Sequence, residues 1–484
     1  MIRNSFFYFH KGGGNGVSAL RDDPLLLPPA LMLCHDSLIP GRCDPGPPKK
    51  RHARCRRQDA GTFQSFREPS WTAERKVQKF NSLAEYAKKR FRLAGKAYLD
   101  GGDPFFAPID TLRREAGIHG RRFVSFANYD YLGLASHPMV KAAAEAALDT
   151  LGIGALGSRL VGGERSTHRR LEASIAKFIG AESALTLVSG YLTNVTTISH
   201  ILGSHDALFI DELSHNSIVS GAKATTAETI MFRHNDLDHL DFLLRERRGN
   251  SRNALIVAEG LYSMDGDIAD LVRLVELKER RKAWLLIDEA HSIGVLGNEG
   301  RGLWEHVGVD PQQIDLTIGT LSKTLASCGG FVAGKVPVIE WLRYTLPGFV
   351  YSVGLSPVIT AAAETALQVM QEETWRIERL RQNAELFVEL AHDAGLDTGP
   401  AIGRGVVPVL FSDSLETLAA SSHLMDHGYY VPPIIQIGVP KDQPRLRFFL
   451  SALHTEAEMR GVTDLLAKRE CQRDAPARSL SAAT

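Results

Sequence analysis

Six short runs of almost purely apolar residues punctuate the middle of the chain: Ala184–Val188, Ala207–Ile210, Thr229–Phe232, Ala254–Ala258, Trp284–Ile287 and Leu316–Ile318. A strand wetted on one face alternates apolar and polar residues, so a strand apolar throughout must be covered on both faces. The stretches between the runs have a helical period. Strands of this kind alternating with helices predict an α/β fold on a doubly wound, mostly parallel sheet. After Pro357 the order changes, with a long helix expected over about 358–394, strands over 406–411 and 446–450, and a last helix over Glu456–Lys468. That order suits a smaller α+β C-terminal domain.

The 484 residues suffice for two domains. The expected layout is a disordered extension over 1–75, an N-terminal helical segment over 76–134, a large domain over 135–355, a small domain over 356–470 and a tail over 471–484. Residues 1–75 carry Gly12-Gly13-Gly14, Pro45-Gly46-Pro47-Pro48 and a basic run from Lys49 to Arg57. They have no period that would bury apolar area enough to offset the entropy of ordering. From about Val77 the pattern turns helical, with Phe80, Leu83, Tyr86 and Ala87 on one face.

Basic and acidic residues both number 56, which gives no reason to expect nucleic acid or an anionic membrane as partner. Five irregularly spaced cysteines fit neither a disulfide framework nor a zinc site; no metal is expected, and a reducing, cytoplasmic setting is. No apolar run is long enough to span a bilayer.

Ligands of open α/β sheets collect at the carboxyl ends of the strands, so the residues just after each apolar run carry most weight. Ser189-Gly190-Tyr191 opens a helix there, and free N–H groups at a helix start can hold a phosphate; an ordinary strand-to-helix turn would read the same way. Asp288, in Asp288-Glu289-Ala290-His291, ends another strand. A carboxylate about 4 Å from a pyridinium nitrogen, at an effective dielectric of about 20, is attracted by roughly 4 kcal/mol. Such a carboxylate would keep the ring protonated; a lone strand-end Asp could equally bind a metal or cap a helix. Lys323, in Gly319-Thr320-Leu321-Ser322-Lys323-Thr324, supplies an amine that burial would make nucleophilic near neutrality. A lone loop lysine is usually a solvated surface charge. The pair Lys323 and Asp288 reverses that reading, because together they are what a pyridoxal phosphate (PLP) enzyme requires. His215 could stack on the pyridine ring, His291 could reach the same pocket, and Arg447 could bind a carboxylate through both guanidinium nitrogens.

With these motifs the chain resembles the α-oxoamine synthases, fold-type-I PLP-dependent transferases that include 8-amino-7-oxononanoate synthase and serine palmitoyltransferase. The resemblance runs from about Phe126 to Leu466 through Tyr129-Asp130-Tyr131-Leu132-Gly133-Leu134, Gly157-Ser158-Arg159, Glu259 to Asp267, Asp288-Glu289-Ala290-His291, Thr320 to Lys323 and Leu446-Arg447. It implies that Lys323 is the Schiff-base lysine and the base at the substrate α-carbon, that Asp288 pairs with the ring nitrogen and that His215 stacks on the ring. His291 and Ser263 would lie near the ring hydroxyl, Gly190, Tyr191 and Thr320 at the phosphate, and Arg447 at the amino acid's carboxylate. It further implies a homodimer with sites at the subunit interface. At Val353 many members have a threonine that reaches the neighbouring subunit's phosphate, a contact that valine cannot make.

The expected reaction is decarboxylative condensation of glycine, alanine or serine with an acyl thioester, giving an α-amino ketone. The thioester would arrive on coenzyme A or on a separate acyl carrier protein. The rivals are another fold-type-I activity, such as transamination, and a non-catalytic partner subunit. Phe105, Phe106 and the stretch Leu346–Val350 could line an acyl channel or merely pack. Asp413-Ser414-Leu415 matches the short core of a carrier attachment site but lies where no carrier bundle fits.

Overall fold

The structure is a computed structural model that describes residues 80–93, 105–112, 115–118, 120–435 and 443–474. The extension expected over 1–75 and the tail beyond 474 lie outside the described residues.

All six apolar runs are strands, and a seventh joins them: β1 (Ser183–Leu187), β2 (Ala207–Asp211), β3 (Glu228–Phe232), β4 (Ala254–Glu259), β5 (Trp284–Asp288), β6 (Leu316–Thr320) and β7 (Gly330–Gly334). They form one sheet in the order β1-β7-β6-β5-β4-β2-β3. The neighbours are parallel except β7, which runs antiparallel to both β1 and β6. On the inner strands side chains alternate between two cores, whereas the edge strand β3 leaves Met231 exposed. Leu208, Ile210, Leu255, Val257, Leu286, Ile318 and Val332 pack into one, and Phe209, Ile256, Ala258, Leu285, Ile287 and Phe331 into the other. Each such side chain, removed from water, contributes about 1.5–3 kcal/mol, so both faces of the sheet stabilise it.

Two smaller sheets flank this one in sequence. Thr111–Leu112, Glu115–Ile118 and Arg121–Ser125, read from the sequence as part of a helical segment, instead form three short antiparallel strands, and Tyr429–Tyr430 pairs parallel to the third of them. Among the described residues, the helical signal upstream is met by the helix Leu83–Leu93. The second small sheet has Arg445–Phe449 at its centre, between Val406–Leu410 and Pro433–Ile434.

The long helix expected after Pro357 is two helices, Pro357–Glu372 and Trp375–Asp393. Glu373 breaks it by leaving helical geometry (ψ 57°), and its carboxylate accepts from Arg376 Nε at 2.7 Å and lies 3.3 Å from His137 Nε2. The last helix runs to Asp474. Asp413, in the carrier-like tripeptide, caps the helix Ser414–Asp426 by accepting from Glu416 N at 2.8 Å. Among the described residues, no helix is long and apolar enough to cross a membrane.

Candidate active site

The carboxyl ends of β2, β4, β5 and β6 carry Asp211, Glu259, Asp288 and Thr320, four polar residues at one edge of an otherwise apolar sheet. Burying such groups is costly unless partners satisfy them. Glu259 and Asp288 are register partners on adjacent parallel strands, so two carboxyl groups stand side by side. Asp288 is held from two directions: Asn194 Nδ2 donates to Oδ2 at 2.6 Å, and Ala290 N donates to Oδ1 at 2.9 Å. Burial pushes the Glu259 carboxyl up to about 8, and the charge of Asp288 adds to the shift. At neutral pH Glu259 therefore keeps its proton.

Glu259 also accepts the backbone N–H of His215 at 2.5 Å, which anchors the start of the helix Asn216–Ala224. The His215 ring accepts from Ser217 N and lies 2.7 Å from Ser217 Oγ. Burial lowers its pKa; Asp288 opposes that shift, and the charges of Lys323 and Arg447 reinforce it. A neutral ring results.

Lys323 stands in the loop between β6 and β7, its Nζ 5.5 Å above the ring of Tyr129. Burial pulls the ammonium down to about 8, against the pull of Asp288. About a tenth is then the free amine at neutral pH, whereas a solvated lysine offers almost none.

Arg447 is supplied by the central strand of the second small sheet, which two bonds hold against the segment around Tyr131, Phe449 N to Phe126 O and Ala452 N to Tyr131 O, while Leu450 N bonds Gly405 O beside the neighbouring strand. Its Nη1 donates to Ser263 O at 2.7 Å and lies 3.0 Å from Met264 Sδ, while the guanidinium covers the Phe449 ring at 4.5 Å. The Nε of Arg447 is buried without a partner. Among the described residues this cation forms no ion pair.

The remaining expected residues fall around the same edge. Gly190 begins the helix Gly190–Ile201 beside Thr320; a Cβ there would meet Thr320 Oγ1 at 2.9 Å. Thr320 Oγ1 and Ser322 Oγ are 2.7 Å apart. Tyr191 presents its ring edge to His215 and bonds through its hydroxyl to Asn216 and Ser220. His291 is buried, with Nδ1 2.7 Å from the hydroxyl of Tyr131. Val353 is exposed and bridges to Ser158. Leu346 and Phe349 lie in the core, so the stretch read as a possible acyl channel packs instead.

These residues fit PLP on three observations. A helix start and two hydroxyls surround a cradle that any side chain at 190 would fill, which suits a phosphate. The Asp288 carboxyl group, oriented by Asn194 and Ala290 N, suits a protonated ring nitrogen, and among the described residues Arg447 Nε and Asn194 Oδ1 have no partner. Three residues here escaped the sequence reading. Glu259 had the same strand-end position as Asp288 and could have been found by that rule. Asn194 lies one turn into its helix, where nothing local marked it, and Tyr131, though inside a quoted motif, meets His291 only across the fold.

The family described as aminotransferase class I and II matches residues 121–466. The chain belongs to it. The 8-amino-7-oxononanoate synthase of Fervidobacterium nodosum is 36% identical over 367 residues, covering 74% of this chain and 92% of the relative. That of Alkalilimnicola ehrlichii is 38% identical over 347 residues, covering 72% and 88%. Among solved structures, a serine palmitoyltransferase from S. paucimobilis with a bound PLP–myriocin aldimine superposes with a TM-score of 0.77. It is 30% identical, and the match covers 81% of this chain and 100% of that one. Within the family, then, the chain is a fold-type-I, PLP-dependent acyltransferase of the α-oxoamine synthase group, whose reaction is a decarboxylative condensation giving an amino ketone.

Proposed function

We propose that the chain condenses a small L-amino acid (glycine, alanine or serine) with an acyl thioester carried by coenzyme A or by a separate acyl carrier protein. A C–C bond forms between the amino acid's α-carbon and the thioester carbonyl, the thiol leaves, and the amino acid's carboxylate departs as carbon dioxide. When bound, PLP supplies an electron sink for negative charge at the α-carbon.

The chain's own residues do the rest. Lys323 provides the amine that attaches the cofactor and, once displaced, a base of suitable pKa for the α-proton. Asp288, oriented by Asn194 and Ala290 N, holds positive charge at the ring nitrogen. His215, neutral and pinned through Glu259, offers a flat face to the ring. His291 and Ser263 serve the ring hydroxyl, while Gly190, Tyr191 and Thr320 serve the phosphate. Arg447, whose Nε has no partner among the described residues, binds the substrate carboxylate. The exposed apolar side chains of Ile153, Leu156, Val161, Tyr351 and Val353 support a homodimer, since a monomer in water would bury such a surface.

The observation that carries this reading is a lysine whose pKa burial depresses, acting with Asp288 beside an arginine whose Nε has no partner among the described residues. Absorbance titration of the PLP-loaded protein with glycine, alanine and serine, followed by a panel of thioesters, tests it. One amino acid should perturb the cofactor band, and carbon dioxide should appear only when thioester is added. No response to any of the three, or an amino ketone-free product without carbon dioxide as in transamination, would reject the proposal.

A further inference from the structure

We infer that Tyr131 is a positioning residue that fixes the tautomer of His291, leaving Nε2–H as the single donor this histidine presents to the site. The Tyr131 side chain is fully buried, and its hydroxyl has one partner, Nδ1 of His291 at 2.7 Å. A phenol proton without an acceptor in that setting costs roughly 1–3 kcal/mol. Only one nitrogen of a neutral imidazole can accept. His291 is neutral: burial lowers its pKa well below the usual histidine range, and the charges of Lys323 and Arg447, with His215, act in the same direction. The phenol therefore donates to Nδ1, and the ring proton resides on Nε2.

The rest of the surroundings hold that arrangement still. Tyr129 meets the His291 ring edge-on at 5.8 Å, and Phe449 stacks on it at 6.2 Å with 13° between planes. Tyr131 is itself fixed, since its carbonyl accepts from Ala452 N at 2.7 Å and its ring abuts Gly405, where a Cβ would come within 2.9 Å. Nε2 has no hydrogen-bond partner among the described residues. A directed N–H with no acceptor among the described residues suits an oxygen anion, and the PLP ring carries one in its phenolic oxygen. That last assignment rests on the proposed function; the tautomer does not.

The test separates the two. In cofactor-free protein labelled with 15N-histidine, two-bond correlations from ring carbons to ring nitrogens distinguish Nε2–H from Nδ1–H, and loss of a signal in His291→Gln identifies the residue. The wild type should show Nε2–H, and Tyr131→Phe should show the Nδ1–H form or a mixture. An Nδ1–H pattern in the wild type, or an unchanged pattern in Tyr131→Phe, overturns the inference. In loaded protein, Tyr131→Phe and His291→Gln should each move the absorbance maximum, and the double variant should move it no further than His291→Gln alone; additive shifts would mean that Tyr131 does not act through His291. Wild-type protein that fails to take up PLP would reject the functional reading, and the cofactor-free spectrum would still decide the tautomer.

Discussion

Two clusters of buried charge share the carboxyl edge of the large sheet, and they are satisfied in opposite ways. His234 bridges Asp211 at 2.9 Å and Asp267 at 3.0 Å, Tyr262 donates to Asp211, and Asn235 donates to Asp267. Burial opposes charge on His234, but the bonds to the two aspartates outweigh it and raise the pKa to about 10. One strand along lie Asp288, Glu259, Lys323 and Arg447, where the lysine has no ion pair among the described residues and Arg447 Nε has no partner. The first cluster spends its charges on each other and so joins the turn after β4 to the end of β2. The second holds charges apart, which costs stability and leaves them available for a ligand.

Breaking each cluster should therefore have a different signature. Lys323→Ala should lower turnover by about 10²–10⁴-fold and abolish the covalent cofactor band, while leaving the unfolding midpoint of cofactor-free protein within experimental error. His234→Gln should do the reverse. It leaves Asp211 and Asp267 without their cation and should cost roughly 3–5 kcal/mol in urea unfolding at neutral pH, with the cofactor band kept. Because the folded pKa of His234 is raised, its contribution is full below the unfolded value of about 6.5 and is lost as pH rises through about 10. The variant should accordingly lack that part of the wild type's alkaline loss of stability.

Arg447→Lys should raise the KM for the amino acid by about 10–100-fold, the worth of one charged hydrogen bond, and leave the cofactor's spectrum alone. The mildest effect is one of pH. With Lys323 lowered to about 8, the rate of covalent PLP attachment should climb about tenfold per unit below that value and level off above it, as stopped-flow absorbance would record. A climb continuing toward the ordinary lysine range would show that burial does not perturb this amine.

The same contrast explains what could be read from the sequence. The six parallel strands were legible because two cores demand unbroken apolar runs. β7 was not, since Gly330, Ala333 and Gly334 dilute its apolar signal and direction is not encoded in composition. Gly330 answers to space instead of propensity: a Cβ there would lie 2.6 Å from the Gly190 Cα. Asp288, His215 and Lys323 could be found because a strand-end rule points to them. Glu259 obeyed that rule and was passed over inside a longer motif, whereas the His234 cluster and the Tyr131–His291 pair depend on partners distant in the chain.

The reversed strand β7 has a mechanical result. Since it returns directly alongside β6, with Thr320 opposite Gly330 and Leu321 N bonded to Gly329 O, the lysine-bearing loop is clamped at both roots by one hairpin. Lys323 can thus release and recapture its cargo by swinging only its own methylene chain, while the backbone beneath stays fixed like the base of a crane.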